Sequence, residues 1–124
     1  MDCKKALQEA DGDFETAIDV LRKKGQKVAA KRADREASEG VVLAGVNAGS
    51  DRGSVVSVNC ETDFVAKNDS FIELTQRVLE VAISEGPADK AALLDCAFDS
   101  SMSIGEKLTE QTGVIGEKIE IGSF

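Results

Sequence analysis

The amino-acid sequence predicts an α+β fold, a small helical module followed by a three-stranded antiparallel sheet packed with helices. Three observations carry this expectation. Apolar residues recur at helical spacing near the start of the chain, two β-branched runs flank a turn-forming stretch in its middle, and a third alternating run closes it.

In the first segment Cys3, Ala6, Leu7 and Ala10 fall at i, i+3, i+4 and i+7, the stripe of an amphipathic helix. "DGD" interrupts it: Gly12 suits a left-handed turn, and Asp13 can cap a second helix whose stripe is Phe14, Ala17, Ile18 and Leu21. Gly25 is expected to end that helix behind Arg22, Lys23 and Lys24, cations that the helix dipole favours there. Two short helices have too little mass to bury both apolar faces, so a third element is expected against them. The pattern is already running at Met1, which suggests a lost earlier helix or a covering domain. Residues 1–25 therefore read as a helical module, and residues 26–39, rich in Ala, Lys, Arg, Asp and Glu, as a helical linker that frays.

Residues 40–124 read as the α+β core. "GVVLAGVN" and "SVVSVNC" are strand-like and "AGSDRG" between them is turn-forming, so they predict a hairpin with Val56, Val58 and Cys60 on the buried face. Ser70 and Glu73 suggest a capping box opening a helix lined by Phe71, Leu74, Val78, Leu79 and Ala82 and stopped at Gly86 and Pro87. A short helical piece follows around residues 91–94. Ser103 and Glu106 offer a second capping box for a helix bearing Ile104, Leu108 and Ile115, interrupted by Gly105, Gly113 and Gly116. Ile119 and Ile121 alternate with charged residues in the closing strand.

Composition narrows the function. The chain has 124 residues, 42% hydrophobic and 31% charged, which suits a folded core, and it contains no apolar run long enough to span a bilayer and no signal-peptide pattern. A cytoplasmic location is the default. The net charge of −8 opposes phosphate binding, and the basic run of Lys23, Lys24, Lys27, Lys31 and Arg32 carries no interleaved aromatic. We therefore expect no direct nucleic-acid, membrane or small-molecule partner.

Catalysis has little to stand on. Cys3, Cys60 and Cys96 are far apart and the chain has no histidine, which argues against a zinc site and against an activated thiol, so all three cysteines read as small buried hydrophobes. "GSDRG" lacks the strand-to-helix context of a phosphate loop and reads as a hairpin turn. Glu61 and Asp63 have no histidine or pocket signal beside them and read as solvated acids at a strand end.

Surface recognition remains, and "NCETDFVAKN" is its candidate. Continued alternation would put Thr62 and Phe64 on the core face with Cys60. Thr62 and Asp63, however, are residues that turn or cap a chain, and a turn there would leave Phe64 at an exposed corner beside a carboxylate, an arrangement suited to anchoring a partner. The residues alone leave both placements open.

"MDCKKAL", "EADGDFETAIDVLRKKG" and "NCETDFVAKNDSF", in this order and spacing, closely resemble the elongation factor Ts family of bacterial translation factors, and the similarity covers the whole chain. The resemblance implies a guanine-nucleotide exchange factor for the GTPase elongation factor Tu, with no active site or cofactor of its own. It implies an N-terminal module of the ubiquitin-associated type before the α+β core. Asp63 and Phe64, flanked by Thr62 and Val65, would insert near the nucleotide's magnesium site, with Met1 as a further contact. Relative to that pattern the first helix and the second core subdomain are missing, so the chain is expected to be a fragment that binds more weakly than a complete factor. Two other readings compete: an adaptor binding a protein through its helical module, and a thiol-dependent enzyme using Cys60.

Overall fold

The computed structural model describes residues 2–124. In chain order it contains α1 (Asp2–Glu9), α2 (Phe14–Lys31), β1 (Glu39–Val46), β2 (Gly53–Cys60), α3 (Asp63–Ala66), α4 (Asp69–Glu85), α5 (Lys90–Asp95), α6 (Ile104–Ile115) and β3 (Glu120–Ser123). The strands form one antiparallel sheet in the order β1-β2-β3, so the fold is α+β, as the sequence predicts.

Side-chain alternation sets the sheet's two faces. Val41 pairs with Val58 and Leu43 with Val56, while Ile121 pairs with Val58 from the other side. Val56, Val58 and Cys60 are fully buried, and α4 lies across this face with Phe71, Leu74, Val78, Leu79 and Ala82 turned inward. Val42, Val46 and Val55 on the opposite face are exposed. The loop between β1 and β2 is a hairpin turn, in which the Asn47 side-chain carbonyl accepts from the backbone N–H groups of Asp51 and Arg52.

The cap of α4 differs from the expected one. Asn68, not Ser70, is the N-cap, and its Oδ1 accepts from the Ser70 N–H and hydroxyl. Asn caps as well as Ser does, and here it stands two residues earlier. At the other end Gly86 adopts φ +57. A Cβ there would meet the Arg52 guanidinium, which donates to the Ile83 carbonyl and so ties the hairpin turn to the end of α4. The capping box of Ser103 and Glu106 opens α6 with both of its hydrogen bonds formed, and Ile104 and Leu108 are buried beneath it.

Gly25 does not end a helix. α2 runs through it to Lys31, and Gly25 is buried where α2 crosses α6. A Cβ on Gly113 would stand 2.5 Å from the Gly25 Cα. A glycine at a helix interior costs about 1 kcal/mol relative to alanine, but at this crossing its missing side chain lets the two backbones touch. α6 is thus the third element that α2 lacks in the sequence reading.

The N-terminal pair buries less than its stripes suggest. Ala6, Ala10 and Ala17 form its core with Val20 and Leu21 packed against them, whereas Leu7 and Phe14 stay exposed. Cys3 is exposed, Cys96 is half-buried and Cys60 is buried, so only Cys60 fully fits the reading of all three as core residues.

Candidate functional site

The turn after β2 follows from three consecutive choices by the chain. The strand stops at Cys60, Thr62 takes an extended conformation as N-cap, and residues 63–66 form the single helical turn of α3. The Thr62 hydroxyl accepts from the Val65 N–H at 3.5 Å. Val65 packs against the core and Ala66 is buried, while the helical phase carries Phe64 outward.

Phe64 is 83% exposed, against 71% for Phe14 and 1% for Phe71. The open choice between core and corner is decided for the corner, because the cap at Thr62 breaks the two-residue period before Phe64. An exposed corner leads one to expect Phe64 to be substantially more exposed than both Phe14 and Phe71; this holds against Phe71 but not against Phe14, which also faces outward. Beside Phe64, Asp63 is exposed and pairs with Lys67 at 3.1 Å, a surface i,i+4 pair of the kind that contributes little to stability.

A turn of four residues does not hold its own geometry, because helix nucleation is unfavourable without outside support. The support comes from two glutamates. Glu117, in the segment between α6 and β3, accepts from the Glu61 and Thr62 N–H groups on Oε1 at 3.1 and 3.0 Å, and from the Thr62 hydroxyl on Oε2 at 2.7 Å. Glu61 returns the contact: its Oε1 accepts from the Lys118 N–H at 2.8 Å, and Arg32 reaches both of its oxygens at 2.9 Å.

Glu61 is therefore not the solvated acid expected at a strand end. The Lys118 N–H, followed by the Arg32 guanidinium, holds its carboxyl below the ordinary value of 4.5. The partners of Glu61 and Glu117 are brought together by the fold from distant parts of the chain, and no local pattern in the sequence marks them. The acid next to "TDF" was the one available signal.

Cys60 lies beneath this turn. Burial first, and the Glu117 carboxylate second, push its thiol up to about 11, and its Sγ contacts the Thr62 carbonyl at 3.1 Å. A thiol held protonated at neutral pH is a poor nucleophile, which removes the physical basis of the Cys60 enzyme reading. Thr62, Asp63, Phe64 and Val65 thus share one anchored turn. Met1 lies outside the described residues.

Comparison with known proteins places the turn in context. The family model described as "Elongation factor TS" matches residues 61–124. A protein named Elongation factor Ts from Christiangramia forsetii is 57% identical over 124 residues, covering 100% of this chain and 44% of that protein. Its namesake from Flavobacterium johnsoniae is 54% identical over 124 residues, covering 100% of this chain and 38% of its own length. Another, from Rhodopirellula baltica, is 54% identical over 123 residues, covering 98% and 36%. The chain therefore spans less than half the length of these curated relatives.

Proposed function

Because the chain belongs to the elongation factor Ts family, we propose that it is part of a cytoplasmic guanine-nucleotide exchange factor that promotes GDP release from the GTPase elongation factor Tu. The single observation that carries the proposal is the exposure of Phe64 on a turn whose backbone is fixed from both sides. A solvent-exposed aromatic on a rigid support loses little entropy on binding and can fill an apolar slot in a partner.

In this reading Asp63 and Phe64 insert near the magnesium site of the GTPase, with Thr62 and Val65 setting their orientation and Met1 adding a contact. A GTPase holds GDP through phosphate contacts and a magnesium ion, so a wedge displacing the elements beside the metal weakens the nucleotide without touching its base. Phe64 supplies the wedge. Asp63 exchanges its surface partner Lys67 for the neighbourhood of the metal and phosphates. Linkage makes the effect reciprocal: GDP weakens the protein complex by the factor by which the protein weakens GDP.

The protein acts by contact alone, with no reaction centre or cofactor of its own and no direct use of nucleic acid, membrane or small-molecule substrate. Residues 1–25 serve as a module of the ubiquitin-associated type, residues 26–39 as its helical linker and residues 40–124 as the first core subdomain.

Stopped-flow release of fluorescent GDP from elongation factor Tu tests the proposal. The protein raises the release rate, and Phe64→Ala removes most of the gain; an interface anchor is worth about 2 kcal/mol, or about thirtyfold. Binding without any acceleration, in this chain and in a full-length relative alike, would favour the adaptor reading instead.

A further inference from the structure

We infer that Glu117 is a positioning residue for the Asp63 and Phe64 wedge, fixing the turn that presents them through the Thr62 cap. This inference rests on the exchange reading proposed above. It arises from a feature that reading does not use: a clasp of two carboxylates that joins residues 61–62 to residues 117–118.

The geometry gives Glu117 a task beyond filling space. Its Oε1 accepts both backbone N–H groups that precede α3, and its Oε2 takes the Thr62 hydroxyl proton at 2.7 Å. A hydroxyl has one proton and two lone pairs. With the proton directed at Glu117, the lone pairs are left to face the Val65 N–H, which is the capping bond of α3. Glu117 thereby selects the rotamer and proton orientation in which Thr62 acts as a cap.

The second half of the clasp keeps the first in place. Glu61 receives the Lys118 N–H and the Arg32 guanidinium, so the segment bearing Glu117 is tied to the end of β2 and both are tied to the segment following α2. Loss of the Glu117 carboxylate leaves two N–H groups and a hydroxyl without their acceptor, and α3 is too short to persist unaided. Phe64 then samples many directions and presents a wedge only part of the time, which reduces the maximal effect in proportion to the competent fraction.

Glu117→Ala and Glu117→Gln test the role. Glutamine keeps a carbonyl acceptor for the two N–H groups, but its amide nitrogen donates to the Thr62 hydroxyl and cannot accept from it. The expected order of maximal GDP-release acceleration is wild type, then Gln, then Ala, with Ala down by about tenfold on the scale of a lost charge-assisted hydrogen-bond set. Amide hydrogen exchange of the free protein should accelerate at residues 62–66 in Glu117→Ala while the amides of β2 and α4 keep their wild-type rates. A general loss of stability would move all of these together.

If the wild type accelerates release and Glu117→Ala matches it, the positioning role is overturned and the exchange reading stands. If neither the wild type nor a full-length relative accelerates release, the exchange reading fails; whenever the wild type does not accelerate release, amide exchange decides the clasp alone. Unchanged protection at residues 62–66 in Glu117→Ala would overturn it. Should Glu117→Ala fail to fold, Glu117→Gln carries both measurements, and protection equal to wild type at residues 62–66 would count against the role.

Discussion

Phe64 stands beside Asp63 at an exposed corner, where a two-residue strand period would have turned the ring into the core, and a single capping residue makes the difference. The residues beneath them are as informative as those on top. Glu61 has a carboxyl held below its ordinary value of 4.5 by the Lys118 N–H and Arg32, so its charged form is favoured in the folded state. A depressed folded pKa gives stability that is present above the unfolded value and lost as pH falls through the folded one. The Thr62 turn should therefore loosen on acidification below the ordinary carboxylate range, and Glu61→Gln should flatten that acid limb in amide-exchange or chemical-shift titrations of residues 62–66. Cysteine chemistry offers a second check at this scale. Cys3 is exposed, whereas Cys60 is buried with a thiol pushed up to about 11. Under native conditions a disulfide reagent should label Cys3 quickly and Cys60 only after denaturant is added.

At the scale of elements, the crossing of α2 and α6 connects the N-terminal helices to the core. Gly25 and Gly113 meet there at a separation that leaves no room for a methyl group. Gly113→Ala gains helix propensity but must push the helices apart, and overpacking of this kind costs about 1–3 kcal/mol. We expect a lower midpoint of thermal unfolding; a midpoint at or above wild type would show that the crossing adjusts freely. The sheet and α4 form the other main contact, centred on Phe71 at 1% exposure. Phe71→Ala should destabilise by about 3–5 kcal/mol in denaturant titrations. Because the clasp spans β2, the α6-to-β3 segment and the end of α2, displacement of α2 by the Gly113 change should also reach Arg32 and its contact with Glu61.

At the scale of the whole molecule, the chain carries a net charge of −8 and spans 44% of the Christiangramia forsetii relative. Its turn, helices and sheet form a support for Phe64, but interface affinity depends on the packed surroundings of an anchor as well as on the anchor itself. We predict that this chain binds elongation factor Tu more weakly than the full-length relative does while keeping the dependence on Phe64. Calorimetric titration of both against the same GTPase checks this; equal affinities would place all of the binding energy within these residues.

The sequence by itself determined the α+β class, the hairpin with Val56, Val58 and Cys60 inward, the inner face of α4 and the box that opens α6, because each is written in local periodicity or capping chemistry. Its motifs also pointed to the family. Only the tertiary structure decided that α2 passes through Gly25, since a glycine that ends a helix and one that lets two helices touch are the same letter. It likewise decided that Phe64 faces out and that Glu61 and Glu117 hold the turn beneath it. The contacts of Glu61 and Thr62 with residues 117 and 118 join partners more than fifty residues apart in the chain, and a single sequence records the spacing of neighbours but not which distant groups the fold brings within hydrogen-bonding reach.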